Sequence, residues 1–451
     1  VYTLFYPVSL FVSHFKLAIA FSFKRQRYNI LFNKTQIIFG YLFANHYFCG
    51  MKAMKILSFG TMALLIVLLI AATIVERIYG TAMAQTLIYT SPVTIVLWAI
   101  MAYTGMVYIF RNRMHKRPAT LLLHLSFIVI LSGAFVTHIL GEHGTLHLRQ
   151  GLPARHYMMD DGRMRMLPYA LTLHDFHIEY YPDGELPRDY VSIVESSDTE
   201  GDAAVISMNH IYRSEGYRFC QADYDADEQG TVLSVNHDPW GIGITYTGYG
   251  LLLLAFLTFF LQRGSRFRSL LRSPLLRERK LGLPMTLLGI IIAAFALLIL
   301  FSYQGDDGLA PVLHTPILGV HVSIIILSYA LLAFLMINGI MGLCSKSKAA
   351  HLQVISNILL YPAVFLLAIG IFIGAVWGNI SWGRYWAWDP KETWALITML
   401  ICAAGFHVQS LPWLRNPRHY HLFTVLAFLC VLVTYFGVNL IFGGMHSYGN
   451  L

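Results

Sequence analysis

"MKAMKILSFGTMALLIVLLIAATIV", residues 51 to 75, decides the fold. After Lys55 it runs for twenty residues without a charge. That is the length of helix needed to cross a hydrocarbon core of roughly 30 Å. Its apolar residues do not alternate with period two, so it reads as a spanning helix and not as a strand of a membrane barrel. Eight further runs of the same kind lie near 90–110, 119–140, 242–262, 283–303, 318–343, 353–377, 394–411 and 420–442. The composition of the 451 residues agrees, at 56% hydrophobic and 12% charged, about half the charge of an ordinary soluble domain. The sequence therefore predicts an all-α polytopic membrane protein with about nine transmembrane helices.

Charge orients these spans. The connections at 111–118, 263–280, 344–352 and 411–419 are basic, with Glu278 their only acid, and the positive-inside rule puts them in the cytoplasm. The stretch 141–241 holds eighteen of the 24 acidic residues, seven arginines and no lysine, so it belongs outside. Every span then alternates correctly. The net charge of +8 is a topology signal, and nothing in the chain points to nucleic acid. The outer segment 141–241 reads as strands: "YALTLHDFHIEYYPDGELPRDYVSIVES" (169–196) alternates around a Pro-Asp-Gly turn, and two more alternating runs follow. A small extracytoplasmic β-rich domain between spans three and four is expected.

The remaining organisation follows from these boundaries. Residues 1–50 are expected to be an upstream extension outside the working protein, a tenth span within 1–23 being the alternative. Spans one to three occupy 51–140. Span four and its basic cytoplasmic linker occupy 242–280, and the second helical region is 281–451. The five cysteines (49, 220, 344, 402 and 430) form no Cys-X-X-Cys pair and no even cluster, which excludes a disulfide framework and a zinc site.

Histidine and tryptophan carry the chemistry. Five of the eight tryptophans fall in the loop 377–394, as Trp377, Trp382, Trp386, Trp388 and Trp394. An interfacial anchoring belt would spread them over many helix ends; one loaded loop is better read as an aromatic platform for a flat apolar ring. If that loop is helical, Trp382 and Trp386 share a face with Trp388 to one side. Asp389, Pro390 and Glu392 have the spacing of a helix N-cap, first position and capping box.

On the topology above, His321 and His446 reach the outer level of this loop. His124 and His407 lie within roughly 6–9 Å of the inner boundary at 1.5 Å per residue. Two imidazoles at matched depth on separate helices suit bis-histidine ligation of haem iron. His314 competes with His321 as the outer ligand, and His138 with His124 as the inner one. Rival readings are a di-haem b-type electron-transfer subunit and a structural scaffold with a tryptophan belt.

"WGRYWAWDPKETWALI" (382–397), with "HVSIIILSYALLAF" (321–334) before it and "GVNLIFGGMHSYG" (437–449) after it, strongly resembles the tryptophan-rich haem-handling signature of System II cytochrome c maturation, of the CcsA/ResC type. "HLSFIVILSGAFVTHILGEHG" (124–144) and the segment 214–252 are similar to CcsB/ResB. The chain thus resembles a fused System II cytochrome c synthase over about residues 54–451. The resemblance implies a haem site in the membrane at His124 and His407, and an outer haem site with His321 and His446 as axial ligands. It also implies that Trp382, Trp386, Trp388 and Asp389 present that haem, with Trp377 and Trp394 beside them.

The implied cargo is haem b, and the implied partners are an apocytochrome c with a Cys-X-X-Cys-His motif, a thioredoxin-like thiol reductant and membrane lipid. The implied activity is that of a holocytochrome c synthase (haem lyase), placed in the bacterial inner membrane with its working face in the periplasm. A haem exporter or chaperone without ligation is the alternative within the family. Only three spans precede the tryptophan motif in the second half, which reads as a compact variant. Cys220 stands where the family usually has an aromatic residue.

Overall fold

The computed structural model describes residues 51–182, 186–198, 203–274, 289–290, 293 and 315–443. The extension 1–50, His314 and His446 lie outside the described residues, as does the fifth expected span at 283–303 apart from 289–290 and 293. Seven helical stretches among the described residues are long and apolar enough to cross a membrane: Ala53–Tyr79, Pro92–Arg111, Pro118–Leu140, Gly241–Leu271, Pro316–Cys344, Ala349–Ser381 and Pro417–Phe442. We number the helices α1 (Met51–Tyr79), α2 (Pro92–Arg111), α3 (Pro118–Leu140), α4 (Gly241–Leu261), α5 (Pro316–Cys344), α6 (Ala349–Ser381), α7 (Pro390–Ala404) and α8 (Pro417–Leu432).

The eighth expected span, 394–411, is instead the 15-residue α7 followed by a tight turn at Gly405–His407. Five of the eight helices begin with proline at the first position. A missing N–H is harmless there and the fixed φ is already helical. Polar side chains complete four of these starts: Ser91, Thr315, Asp389 and Asn416 each accept a backbone N–H of the first turn. Such caps matter at a membrane boundary, where unsatisfied backbone groups are costly.

α6 is the central post. Over its most apolar window 56% is buried inside the protein, against 17–28% for the other six spans, whose remaining apolar surface is left for lipid. Phe256 of α4 stacks on Phe365 of α6 with centroids 4.0 Å apart, and Leu332 and Leu335 of α5 join the same core. α3 and α4 pack closely, because Gly133 leaves no room for a Cβ beside Thr245. Small residues at such crossings let helix backbones approach in lipid.

Between α3 and α4 the chain forms eight strands: β1 (Glu142–Arg149), β2 (Pro153–Met159), β3 (Met164–Tyr180), β4 (Pro187–Ser196), β5 (Ala203–Ile206), β6 (Tyr212–Ser214), β7 (Tyr217–Tyr224) and β8 (Gly230–His237). They make one sheet in the order β5-β4-β3-β2-β1-β8-β7-β6, every neighbouring pair antiparallel wherever register is given. The expected β-rich domain is therefore present. Alternation puts Leu146, Leu148, Leu171, Phe219 and Leu233 on one buried face. The sheet curls over this core: Ser192 on β4 donates a hydrogen bond to Gln221 on β7 at 2.8 Å, although the two strands are not neighbours in the ladder.

Candidate functional site

At one end of the helices the structure brings His124 and His407 together. His124 lies in the second turn of α3, and His407 closes the turn that ends α7. Their ring centroids are 6.2 Å apart with planes at 78°. Each Nδ1 is bonded to the carbonyl one turn back in its own helix, to Thr120 at 2.9 Å and to Ala403 at 3.1 Å. A carbonyl can only accept, so each Nδ1 carries the proton and each Nε2 keeps its lone pair.

Neither Nε2 has a hydrogen-bond partner among the described residues. The donor set fits axial ligation of a flat iron macrocycle. Neighbours fix the pair: Phe59 of α1 meets His407 edge-on at 5.5 Å, and Phe406 stacks on Tyr361 of α6 at 4.6 Å.

At the other end lie His321 and the tryptophan loop. His321 Nδ1 is bonded to the Gly370 carbonyl of α6 at 2.7 Å. Its ring rests on Gly374, where a Cβ would stand 2.6 Å from Cε1 and 2.7 Å from Nδ1. Gly374 thus seats the ring and Gly370, one turn earlier, supplies the carbonyl that orients it while its own open face takes Ile325, roughly 10 Å below the end of α6.

The loop from Trp382 to Asp389 is not helical, so no helical face aligns its tryptophans. Trp377, in the last turns of α6, meets Trp382 edge-on at 4.8 Å. Trp386 and Trp388 form a second edge-on pair at 5.8 Å. Trp394 faces Phe442 at 6.2 Å. The Nε1 of Trp386 is buried without a hydrogen-bond partner among the described residues.

Asp389 caps α7 by accepting the Lys391 N–H at 3.0 Å. Glu392 reaches past the cap and accepts the Ala387 N–H at 2.9 Å, so it anchors the loop two residues before the cap. Lys391 donates from Nζ to Asn439 at 3.1 Å, tying the loop to the segment that leads towards His446.

The β domain clasps this loop. Arg384 pairs with Asp160 at 2.9 Å. Tyr385 donates to Thr137 at 2.7 Å, and Thr137 donates to Asp238 at 2.6 Å. Ser381 donates to Asn209 at 2.9 Å, and Arg218 donates to Asn379 at 2.7 Å. Cys220 lies under Gly383, its Sγ 3.0 Å from where a Cβ would stand. Burial pushes the Cys220 thiol up to about 12, so it is a packing residue and not a reactive one. His143 sits at the same junction. Burial first, then the Arg384 charge, holds it down to about 4.

Two family models match in sequence order: the ResB-like family over residues 102–241 and the cytochrome C assembly protein family over 249–446. The chain is a ResB-like region fused to a cytochrome C assembly region. It is similar to the protein NrfI of Wolinella succinogenes, 40% identical over 155 residues that cover 31% of this chain and 17% of that protein. It is also similar to the cytochrome c biogenesis protein CcsA of Chlamydomonas reinhardtii, 36% identical over 187 residues, 39% of this chain and 53% of that protein. The CcsA of Synechococcus elongatus is 55% identical over 84 residues, 19% of this chain and 26% of that protein. The chain spans about half or less of the length of these relatives.

The His124–His407 pair straddles the two matched regions. His124 belongs to the ResB-like region and His407 to the assembly region, so neither region alone holds the pair. The sequence pattern did not single out Arg384, Tyr385, Gly370 or Gly374. The two glycines at helical spacing in "GIFIG" (370–374) were a readable signal for close helix packing, by Ile325 at Gly370 and by the His321 ring at Gly374; the loop's partners in the β domain left none.

Proposed function

We propose that this chain carries haem b across the membrane and attaches it covalently to the Cys-X-X-Cys-His motif of an apocytochrome c. The observation that carries the reading is the inner pair: two imidazoles 6.2 Å apart, each with Nδ1 tied to a backbone carbonyl. Haem is cargo here. It enters from the cytoplasmic side between His124 and His407, and is then presented on the outer side by the Trp382–Asp389 loop with His321 and His446 as axial ligands. The unpartnered Trp386 indole N–H leaves a donor for a bound polar group at that place.

The bond-forming step needs no acid, base or nucleophile from the protein. Each substrate thiol adds across one haem vinyl group: sulfur bonds to the inner vinyl carbon and the proton ends on the terminal carbon. No electron is transferred and no group leaves. The thiols must arrive reduced, which calls for a thioredoxin-like reductant. The protein's contribution is to hold vinyl carbon and thiol in contact, where proximity and orientation are the main source of rate. The substrate's own histidine then displaces one axial ligand and releases the product. The working face is periplasmic in a bacterial cytoplasmic membrane.

Co-expression with an apocytochrome reporter in a host lacking its own maturation system tests this. Covalent haem on the reporter is the expected result. Haem found only non-covalently on the reporter would reduce the activity to export, and haem that never leaves the protein would assign it to electron transfer.

A further inference from the structure

We propose that Tyr89, seated by Glu76, is a positioning residue that fixes Trp388 in the loop; the inference rests on the reading of that loop as the haem-presenting surface. Trp388 has φ +61, a left-handed conformation that bulky residues avoid. Such a conformation persists only where the surroundings determine it. The surroundings are here supplied by the connection between α1 and α2, which no matched family range includes.

The Tyr89 ring stacks on the Trp388 indole at 4.8 Å with an interplanar angle of 16°. Four residues earlier, Gln85 donates from Nε2 to the Ala387 carbonyl at 3.1 Å. Glu392 already holds the Ala387 N–H, so the residue before Trp388 is pinned at both backbone groups. Tyr89 is itself held. Its hydroxyl donates to Glu76 Oε2 at 3.2 Å and receives the Thr393 hydroxyl at 3.3 Å, while Thr81 donates to Glu76 Oε1 at 2.9 Å. Tyr89 is 2% exposed and Glu76 8%, so the ring cannot turn without stripping a buried carboxylate of a donor. With Trp386 edge-on to Trp388 on another side, the indole plane is set by its neighbours. The stack is the face-to-face contact among them.

The test compares Tyr89→Leu, Tyr89→Phe and Trp388→Ala in the full chain co-expressed with an apocytochrome reporter. Three readouts are taken: covalent haem on the reporter, haem absorbance of the purified protein, and tryptophan emission. Tyr89→Leu should lower attachment by about tenfold and shift the emission, with the inner haem absorbance unchanged. Tyr89→Phe keeps the stack and should restore attachment to within about threefold. Trp388→Ala should fail like Tyr89→Leu.

Normal attachment by Tyr89→Leu while Trp388→Ala fails would overturn the positioning role and leave the reading of the loop standing. Normal attachment by Trp388→Ala would overturn the reading of the loop itself. Loss of inner haem or of protein in Tyr89→Leu, not restored by Tyr89→Phe, would make Tyr89 a general structural residue and overturn the proposal.

Discussion

The inner histidine pair is held by backbone, and the outer tryptophan loop by side chains. His124 and His407 take their orientation from carbonyls of their own helices, and the packing of α3, α6 and α7 brings them together. The loop has no such frame. It is a non-helical stretch fixed by Asp160 of the β domain, Thr137 of α3, and Gln85 and Tyr89 before α2, while Asn209 and Arg218 of the β domain hold Ser381 and Asn379 at the end of α6 just before it. A site built on backbone is as rigid as its helices. A site built on side chains from a separate domain loosens when that domain shifts. If the proposed function holds, the His124–His407 site is the more rigid of the two, and the tryptophan loop is where another protein gains access.

The largest effect that sharpens this contrast is expected at Gly374. A valine there would push into the His321 ring, whose atoms stand 2.6–2.7 Å from the first added carbon. Overpacking of this kind costs about 1–3 kcal/mol when the neighbour must move. Gly374→Val should reduce covalent attachment by more than tenfold, with haem absorbance from the inner site retained. Loss of both haem signals would show that the two sites are not independently framed.

A smaller effect is expected from acid. His143 lies between the β domain and the loop, facing Arg384, Asp160, Asp238 and Arg218, and its folded-state value of about 4 is below the ordinary value near 6.5. A depressed histidine favours the neutral ring, so its contribution to stability is whole above about pH 6.5 and is lost as pH falls towards 4. The clasp should loosen over that window, read as a change in tryptophan emission. His143→Gln should flatten the profile, and an unchanged profile would remove His143 from the clasp.

The same junction predicts a null result for chemistry. Cys220, buried and pushed up to about 12, should resist maleimide at pH 8 in the folded protein and react after denaturation. The test is made with the other four cysteines, of which Cys344 is exposed, replaced by serine; rapid labelling of Cys220 in that native protein would mean that the β domain opens away from Gly383.

The smallest effect belongs to Arg384 and Asp160, whose side chains are 34% and 54% exposed. A double-mutant cycle should give a coupling of about 0.2–1 kcal/mol that falls with salt. A coupling well above this would make the ion pair, and not Tyr385 and Ser381, the principal clasp.

How much of this could be read from the sequence follows the same division. Helix depth is a one-dimensional quantity, so His124 and His407 could be matched by counting residues from the basic connections. Caps are local, so Asp389 before Pro390 was readable. The strand alternation of 141–241 gave the β domain. The loop's fold was not readable. Its helical reading failed because Gly383 and Trp388 take positive φ and its partners Gln85, Asp160 and Thr137 lie more than 200 positions away in sequence. Glu392 reached Ala387 instead of completing the box at Asp389, an outcome decided by the loop's path. The eighth span was placed correctly at its start but ends in a turn at His407, not in continuous helix.

Haem content of the purified protein, measured by absorbance for the unaltered chain and for His124→Ala and His407→Ala, tests the central claim most directly. A bis-imidazole haem spectrum is expected in the unaltered protein. That signal should fall at least tenfold in each single variant, with partial return when free imidazole fills the vacated position. Unchanged haem content and reporter attachment in both variants would contradict that claim.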